Sequence, residues 1–274
     1  MTIYSTQEPG SFVKEFNDDD VAQIFIDTLE KNIKDIYKKI KFPKRMIMTM
    51  HDKTAYDNFT LFDICNEELG KDRVRDHCHL SGKFRGATHE ICNLKHKVSK
   101  FFPVVFHNLS GYDNHLFLKT LRNSEGDISC IPNNEKHYIS FTKQVNVKHE
   151  LRFTDSLRFM ASSLDKLSSN LKIDQYVNLK KYYSGNQMSL LLRKGVYPYD
   201  YVDFIKKLDG TTLSPKEAFY SKLRGEGITD VDYQHAHTVW KEFNIESMKN
   251  YHKLYNLSNV LLLADIFKTL GVFA

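Results

Sequence analysis

The chain has 274 residues, a formal net charge of +5 at pH 7, 27% charged and 13% aromatic side chains. That length suits one large or two small domains with a buried core, and the mild positive charge suits a protein near nucleic acid without requiring one. Four cysteines do not make a disulfide framework, no apolar run reaches the ~18–20 residues of a membrane helix, and the first residues lack the charged start and apolar core of a secretory signal.

Apolar residues at helical spacing (Val21, Ile24, Phe25, Leu29, Ile33, Ile36, Ile40) predict a helix over 21–40, with Asp18 to Asp20 as its N-terminal cap region. MIMTM at 46–50 reads as a short strand or the start of the next segment. Residues 56–100 form a basic module with few long apolar runs, which would fold with difficulty without a metal. FFPVVF at 101–106 reads as a buried strand, followed by a loop broken at Gly111 and a helix over 115–122. The alternating runs ISFTKQV and KHELRF predict an antiparallel hairpin. A helix is expected over 164–171, a loop-rich stretch punctuated by Pro198 and Pro215 follows, and helices are expected over 233–243 and 249–270. The boundaries drawn are a helical segment at 1–55, the basic module at 56–100 and a larger α/β or α+β part at 101–274.

Chemistry concentrates in the basic module. Cys65 and the pair His89 and Cys92 have the spacing of a structural zinc site, in which two close pairs supply four ligands. Phe62 stands where the partner of Cys65 belongs, and Cys78 and His96 are the candidates for the fourth ligand. The bland alternative is a His and a Cys packed in an ordinary core. Between the halves lies Asp76-His77-Cys78-His79, and Asn93 follows Cys92. This pattern resembles the His-Me finger of recombination endonuclease VII. The resemblance implies that Asp76 and Asn93 hold one Mg²⁺, that His77 takes a proton from water, and that His79 supports. Arg73, Arg75, Lys83 and Arg85 would hold DNA phosphates.

Asn108-Leu-Ser-Gly-Tyr112-Asp113 matches the second exonuclease motif of family B DNA polymerases. There Asp113 would hold a metal ion of a two-metal site, while Asn108 and Tyr112 grip the 3′ end of single-stranded DNA. Downstream, Ser156-Leu157 resembles the motif with which protein-primed members contact single-stranded DNA. Tyr255 sits where the third motif begins and would orient the attacking water. Its carboxylate position is Asn259, and Asp265 reads as an ordinary helix-face carboxylate.

Together RVRDHCHLSGKFRGATHEICN, FHNLSGYDNHLF, DSLRFMASSLDKL, KGVYPYDYVD, LSPKEAFYSKL and YHKLYNLSNVLLLADIF resemble the protein-primed family B DNA polymerases of Polinton (Maverick) transposons and related viruses, in the family's motif order. The resemblance implies a ribonuclease-H-like 3′–5′ exonuclease fold, incomplete here, with the His-Me zinc module inserted. It also implies structural Zn²⁺, and Mg²⁺ for any surviving nuclease activity. The partners implied are DNA, especially single-stranded 3′ ends, and a terminal protein or separately encoded polymerase palm, with no membrane. An intracellular, nuclear location is expected. The opening DxE strand and the palm motifs are not found in this sequence, so a truncated, catalytically impaired polymerase fragment is the expectation. The alternatives are a Mg-dependent His-Me DNA endonuclease and a non-enzymatic DNA-binding domain.

Overall fold

The computed structural model describes residues 2–5, 12–15, 20–58, 67–95, 101–109, 118, 120–121, 125–132 and 138–271. The chain is mixed α and β, and its largest sheet is mixed in strand direction. It divides into two compact units, one spanning Asp20–Asp155 and one spanning Ser156–Ala274 with the N-terminal strands.

The first unit opens with α1 (Val21–Lys41), which buries Phe25, Leu29 and Ile33 of the expected apolar stripe and Ile26 beside it. Asp20 occupies the N-cap, but its side chain makes no capping bond; only its carbonyl serves, accepting the Ile24 N–H at 3.1 Å. Asp18 and Asp19 lie outside the described residues. Lys38, Lys39 and Lys41 crowd the last turn, where positive charge is favourable.

A four-stranded sheet follows, with β5 (Phe101–Phe106), β6 (Ile128–Pro132), β7 (Tyr138–Asn146) and β8 (His149–Asp155) in the order β5-β8-β7-β6. The expected hairpin is β7–β8. Its turn is closed by Asn146 Oδ1, which accepts the N–H groups of Lys148 at 2.9 Å and His149 at 3.1 Å. Along β8 buried residues alternate: His149, Leu151, Phe153 and Asp155. Phe153 stacks on Phe141 at 4.6 Å, and Phe25 of α1 meets Phe106 edge-on at 6.2 Å. β5 runs parallel to β8 and lies at the sheet edge, the position that tolerates the missing N–H of Pro103. β6 has no sequence signature, because its residues Ile128 to Ile131 are all exposed and show no alternation.

The basic module has its own frame: α2 (Met50–Asn58), β3 (Arg73–His77), β4 (Phe84–His89) and α3 (Glu90–Lys95). Instead of a strand at 46–50, only Ile47 bridges to Lys83, and the chain turns into α2. The reason is a reciprocal cap: Thr49 Oγ1 accepts the Asp52 N–H at 3.1 Å and Asp52 accepts the Thr49 N–H at 2.8 Å. The boundary drawn at 55/56 therefore falls inside α2.

In the second unit β1 (Thr2–Ser5) and β2 (Phe12–Glu15) pair antiparallel. The helices are α4 (Leu157–Met160), α5 (Leu164–Ser169), α6 (Gly185–Leu191), α7 (Asp230–Glu242) and α8 (Met248–Thr269). Side-chain caps set three of their starts, from Ser163, Thr229 and Ser247. The Thr229 cap starts α7 three residues earlier than its apolar pattern suggested. α8 feeds two apolar clusters, one around Leu179, Leu191, Leu261 and Ile266 and one around Phe219, Ala236, Met248 and Tyr251. Asp265 departs from its expected role. It is fully buried and accepts the backbone N–H groups of Asn178 at 2.6 Å and Leu179 at 3.1 Å. Burial raises its carboxyl above the usual range, against the pull of those donors.

Lys143 on β7 is also fully buried, with its ammonium on the carbonyl of Glu125 and 3.2 Å from Glu30 of α1. Removing one partner of a buried pair strands the other. Lys143→Met should destabilise the protein by about 3 kcal/mol, and adding Glu30→Gln should recover part of that. Urea denaturation of both variants checks the prediction.

Candidate nucleic-acid interface

Asn108 stands just past the end of β5, with φ at 70°. This left-handed conformation is one that Asn tolerates better than most residues. Its backbone N–H donates to Asp155 Oδ1 at 2.8 Å. Asp155 is buried at the last position of β8, in register with Phe106. The start of the NLSGYD segment is thus tied to the DSL segment at the C-terminal ends of two parallel strands. Tyr112 and Asp113 lie outside the described residues. Ser156 is fully buried as the N-cap residue of α4, which leaves the half-buried Leu157 as the more open member of that pair.

The basic module contains a β–β–α element: β3 and β4 pair antiparallel, and α3 follows β4 without a break. A register shift falls between Asp76 and His77. Asp76 is gripped by Arg85 through two bonds, Nε to Oδ2 at 2.9 Å and Nη2 to Oδ1 at 3.0 Å. Both oxygens expected to meet Mg²⁺ are thereby engaged, and so is the guanidinium expected on a phosphate. His77 Nε2 lies 3.2 Å from the carbonyl of Lys44. A carbonyl can only accept, so Nε2 carries the proton and Nδ1 is left as the acceptor. The His79 ring stands 5.2 Å from that of His77. Cys78 lies in the β3–β4 turn, where burial opposes its thiolate but hydrogen bonds from Ser81 and Leu80 prevail and lower its pKa.

Arg73 and Arg75, two apart on β3, both stack on Tyr56 of α2, with guanidinium carbons 4.4 and 4.9 Å from the ring centre. Tyr56 also donates to the Arg73 carbonyl at 3.2 Å. Lys83 is exposed at the entry to β4, and Asn93 is half-buried on α3.

For zinc, Phe62, Cys65 and His96 lie outside the described residues. Cys92 is half-buried, and His89 has its Nε2 3.0 Å from the carbonyl of Glu68. Among the described residues no group of three His, Cys, Asp or Glu side chains could hold a metal ion. The described residues therefore do not by themselves fit zinc, and the Asp76 carboxylate, held by Arg85, does not fit magnesium in this arrangement. No helix among the described residues is long and apolar enough to cross a membrane.

In the second unit Tyr255 is buried within an aromatic cluster. Its ring stacks on Tyr197 at 5.0 Å, and its hydroxyl shares a hydrogen bond with that of Tyr199. Burial pushes the phenol far above its ordinary pKa, so it stays protonated. Gly195 permits this packing, because a Cβ there would sit 3.2 Å from the Tyr255 ring. Asn256 donates to His252 Nε2 at 2.8 Å, so His252 Nδ1 donates to the Tyr197 hydroxyl at 2.8 Å. These groups line a cavity of about 320 Å³ with the exposed Phe204 and Ile205. One turn along α8, Asn259 buries an amide oxygen that has no hydrogen-bond partner among the described residues.

In comparison with known proteins, no family model, curated protein or solved structure matches this chain. Three residues of these sites were not singled out from sequence: Asp155, Tyr56 and Tyr199. Asp155 lay in view as the first residue of the DSL segment, and the Thr49/Asp52 capping pair could have exposed the helix that carries Tyr56. Deleting the Asp155 carboxylate would orphan a donor in a buried turn. Asp155→Ala should cost about 2 kcal/mol, whereas Asp155→Asn, which keeps an acceptor oxygen, should cost less than half of that. Chemical denaturation of the two variants distinguishes them.

Proposed function

We propose that this chain is the exonuclease-like, DNA-gripping region of a protein-primed family B DNA polymerase, of the kind found in Polinton transposons, and that it binds single-stranded DNA rather than polymerising it. The observation that carries this reading is the Asp155–Asn108 bond. It joins the two DNA-gripping motifs at the C-terminal ends of neighbouring parallel strands, the region where open α/β sheets bind their ligands. A mixed sheet with one parallel and two antiparallel pairings is compatible with the ribonuclease-H-like fold that the resemblance implies. In this reading the Asn108 side chain contacts the 3′ end.

The chemistry for cutting is weaker than the chemistry for binding. Asn259 offers a neutral amide where the family pattern has a metal-holding carboxylate, and Asp76 is neutralised by Arg85. One observation favours the endonuclease alternative: the tautomer of His77 leaves Nδ1 able to accept a proton. With Asp76 engaged, nicking of supercoiled plasmid in Mg²⁺ should be absent, or equal in wild type and His77→Ala. Nicking that His77→Ala abolishes would establish the endonuclease instead.

Binding is measured by fluorescence anisotropy of a 5′-labelled oligothymidylate with a free 3′ end. Asn108→Gly keeps the left-handed backbone and removes only the side chain. It should weaken binding about tenfold, and tightness in both proteins should fall as salt rises. Undetectable or salt-insensitive binding by the wild type would defeat the reading.

A further inference from the structure

We propose that the outer face of α1 is a docking surface for the backbone of duplex DNA, carried by a single file of lysines; this goes beyond the single-strand reading and stands on different residues. Lys31, Lys34, Lys38 and Lys41 recur at three- and four-residue intervals, so they lie along one side of the helix. All four are exposed, while Phe25, Ile26, Leu29 and Ile33 are buried. At about 1.5 Å per residue the file runs for about 15 Å. Along one strand of a duplex, whose phosphates are spaced about 3.4 Å along the axis, that length faces roughly four charges. Past the helix end Lys44 and Arg45 are exposed as well. Their stretch of chain is pinned to the β3–β4 turn, with the Lys44 N–H on the His79 carbonyl at 3.0 Å and the Ile47 N–H on the Gly82 carbonyl at 2.7 Å.

The fold gains little from this arrangement. Like charges three and four residues apart destabilise a helix, and each lysine of the file has such a neighbour. The helix dipole favours Lys38 and Lys41 near the last turn, but its effect fades within that turn and does not reach Lys31 or Lys34. Among the described residues the one ion pair in the file is Lys38 with Asp35, exposed and 3.9 Å long, a weak contact. The other acids of α1 have other uses: Glu30 reaches the buried Lys143 at 3.2 Å, and Asp27 accepts from Gln23 at 2.8 Å. Narrowness selects the partner. A flat anionic bilayer would meet the exposed Asp27 and Asp35 together with the lysines, whereas a linear polyanion follows the file alone. Surfaces for single strands add aromatic rings that stack on unpaired bases. The one aromatic between Lys31 and Lys41, Tyr37, packs on His149 of β8 at 4.5 Å instead, and the exposed Phe42 comes only after the last lysine. A rigid row of charge without a stacking platform suits a duplex, whose bases are already paired.

The test is anisotropy of a short blunt DNA duplex, labelled at one 5′ end, over a salt series with the full chain. Lys31→Gln combined with Lys34→Gln removes two charges from the middle of the helix and keeps good helix formers there. It should lower the slope of log affinity against log salt by about 1.8, roughly 0.9 for each lysine. Lys31→Arg combined with Lys34→Arg should keep the wild-type slope. Lys180→Gln combined with Lys249→Gln, which removes two exposed lysines of the second unit, should keep it too. An unchanged slope in the glutamine variant of α1 overturns the proposal. An equal fall in the variant of the second unit also overturns it, because net charge alone would then be acting. A wild type that binds phosphatidylserine vesicles and no duplex overturns it as well. Should the glutamine variant of α1 fail to fold, acetylation of the wild-type lysines decides. Protection of Lys31, Lys34, Lys38 and Lys41 by the duplex supports the surface, and unchanged labelling overturns it. Asn108→Gly should weaken single-strand binding and leave duplex binding as it is, so the two readings fail separately.

Discussion

A single buried carboxylate organises the end of the sheet. Asp155 is taken out of water at the last residue of β8, a costly place for a charge unless donors replace the lost solvent. One such donor is the backbone N–H of Asn108, which leaves β5 in a left-handed turn. The bond ties the residue just past β5 to the last residue of β8. The parallel pairing of β5 with β8, seated on Phe153 and Phe106, makes that junction possible. Sequence segments some fifty residues apart are brought together by that one register.

In the β3–β4 element, charge decides between two uses of the same scaffold. A carboxylate beside a histidine can present oxygens to a divalent ion, or it can be neutralised by a neighbouring cation. Here Arg85 forks onto Asp76 in the bidentate geometry that makes such pairs strong. A cation entering that position would have to displace a guanidinium held by two hydrogen bonds. The histidine keeps the tautomer a base requires, through the Lys44 carbonyl. The histidine ring is thus held through one backbone carbonyl while the neighbouring carboxylate is occupied by Arg85.

Periodic burial was the part of the fold most legible in the sequence. α1 and the β7–β8 hairpin were readable because their apolar residues recur with the period of the element that buries them, and α8 from its apolar run VLLLADIF. What escaped had no such period. β6 is exposed throughout its readable length, and α2 buries no residue, so neither leaves an apolar trace. α2 is set by the Thr49/Asp52 cap, a local polar signal shorter than the window over which periodicity is judged. The roles of Asp155 and Asp265 were hidden for a different reason. Each takes backbone N–H groups from remote segments, and the spacing of residues along one strand or helix carries no record of such partners. His77 and Asp76 were legible as a pair, but the Arg85 fork was not, because a basic residue on the facing strand reads equally well as a phosphate ligand.

The tyrosine cluster shows the same limit from the side of chemistry. A Tyr four residues before a carboxylate position reads as a group that orients water near a metal. In the folded chain the residue four along is Asn259, and the Tyr255 phenol is buried, protonated and hydrogen-bonded to Tyr199. Its ring is clasped by Tyr197 and seated against Gly195, so its position is set by aromatic packing. A hydroxyl held this way is a rigid donor–acceptor at the wall of a cavity, and rigidity of that kind suits the positioning of a ligand. Asn259 carries no charge, and the cluster needs none there, because the stacking on Tyr197 and the bond to Tyr199 hold the Tyr255 ring. Packing that holds without a charge beside it keeps this wall of the cavity in one arrangement, whatever enters it.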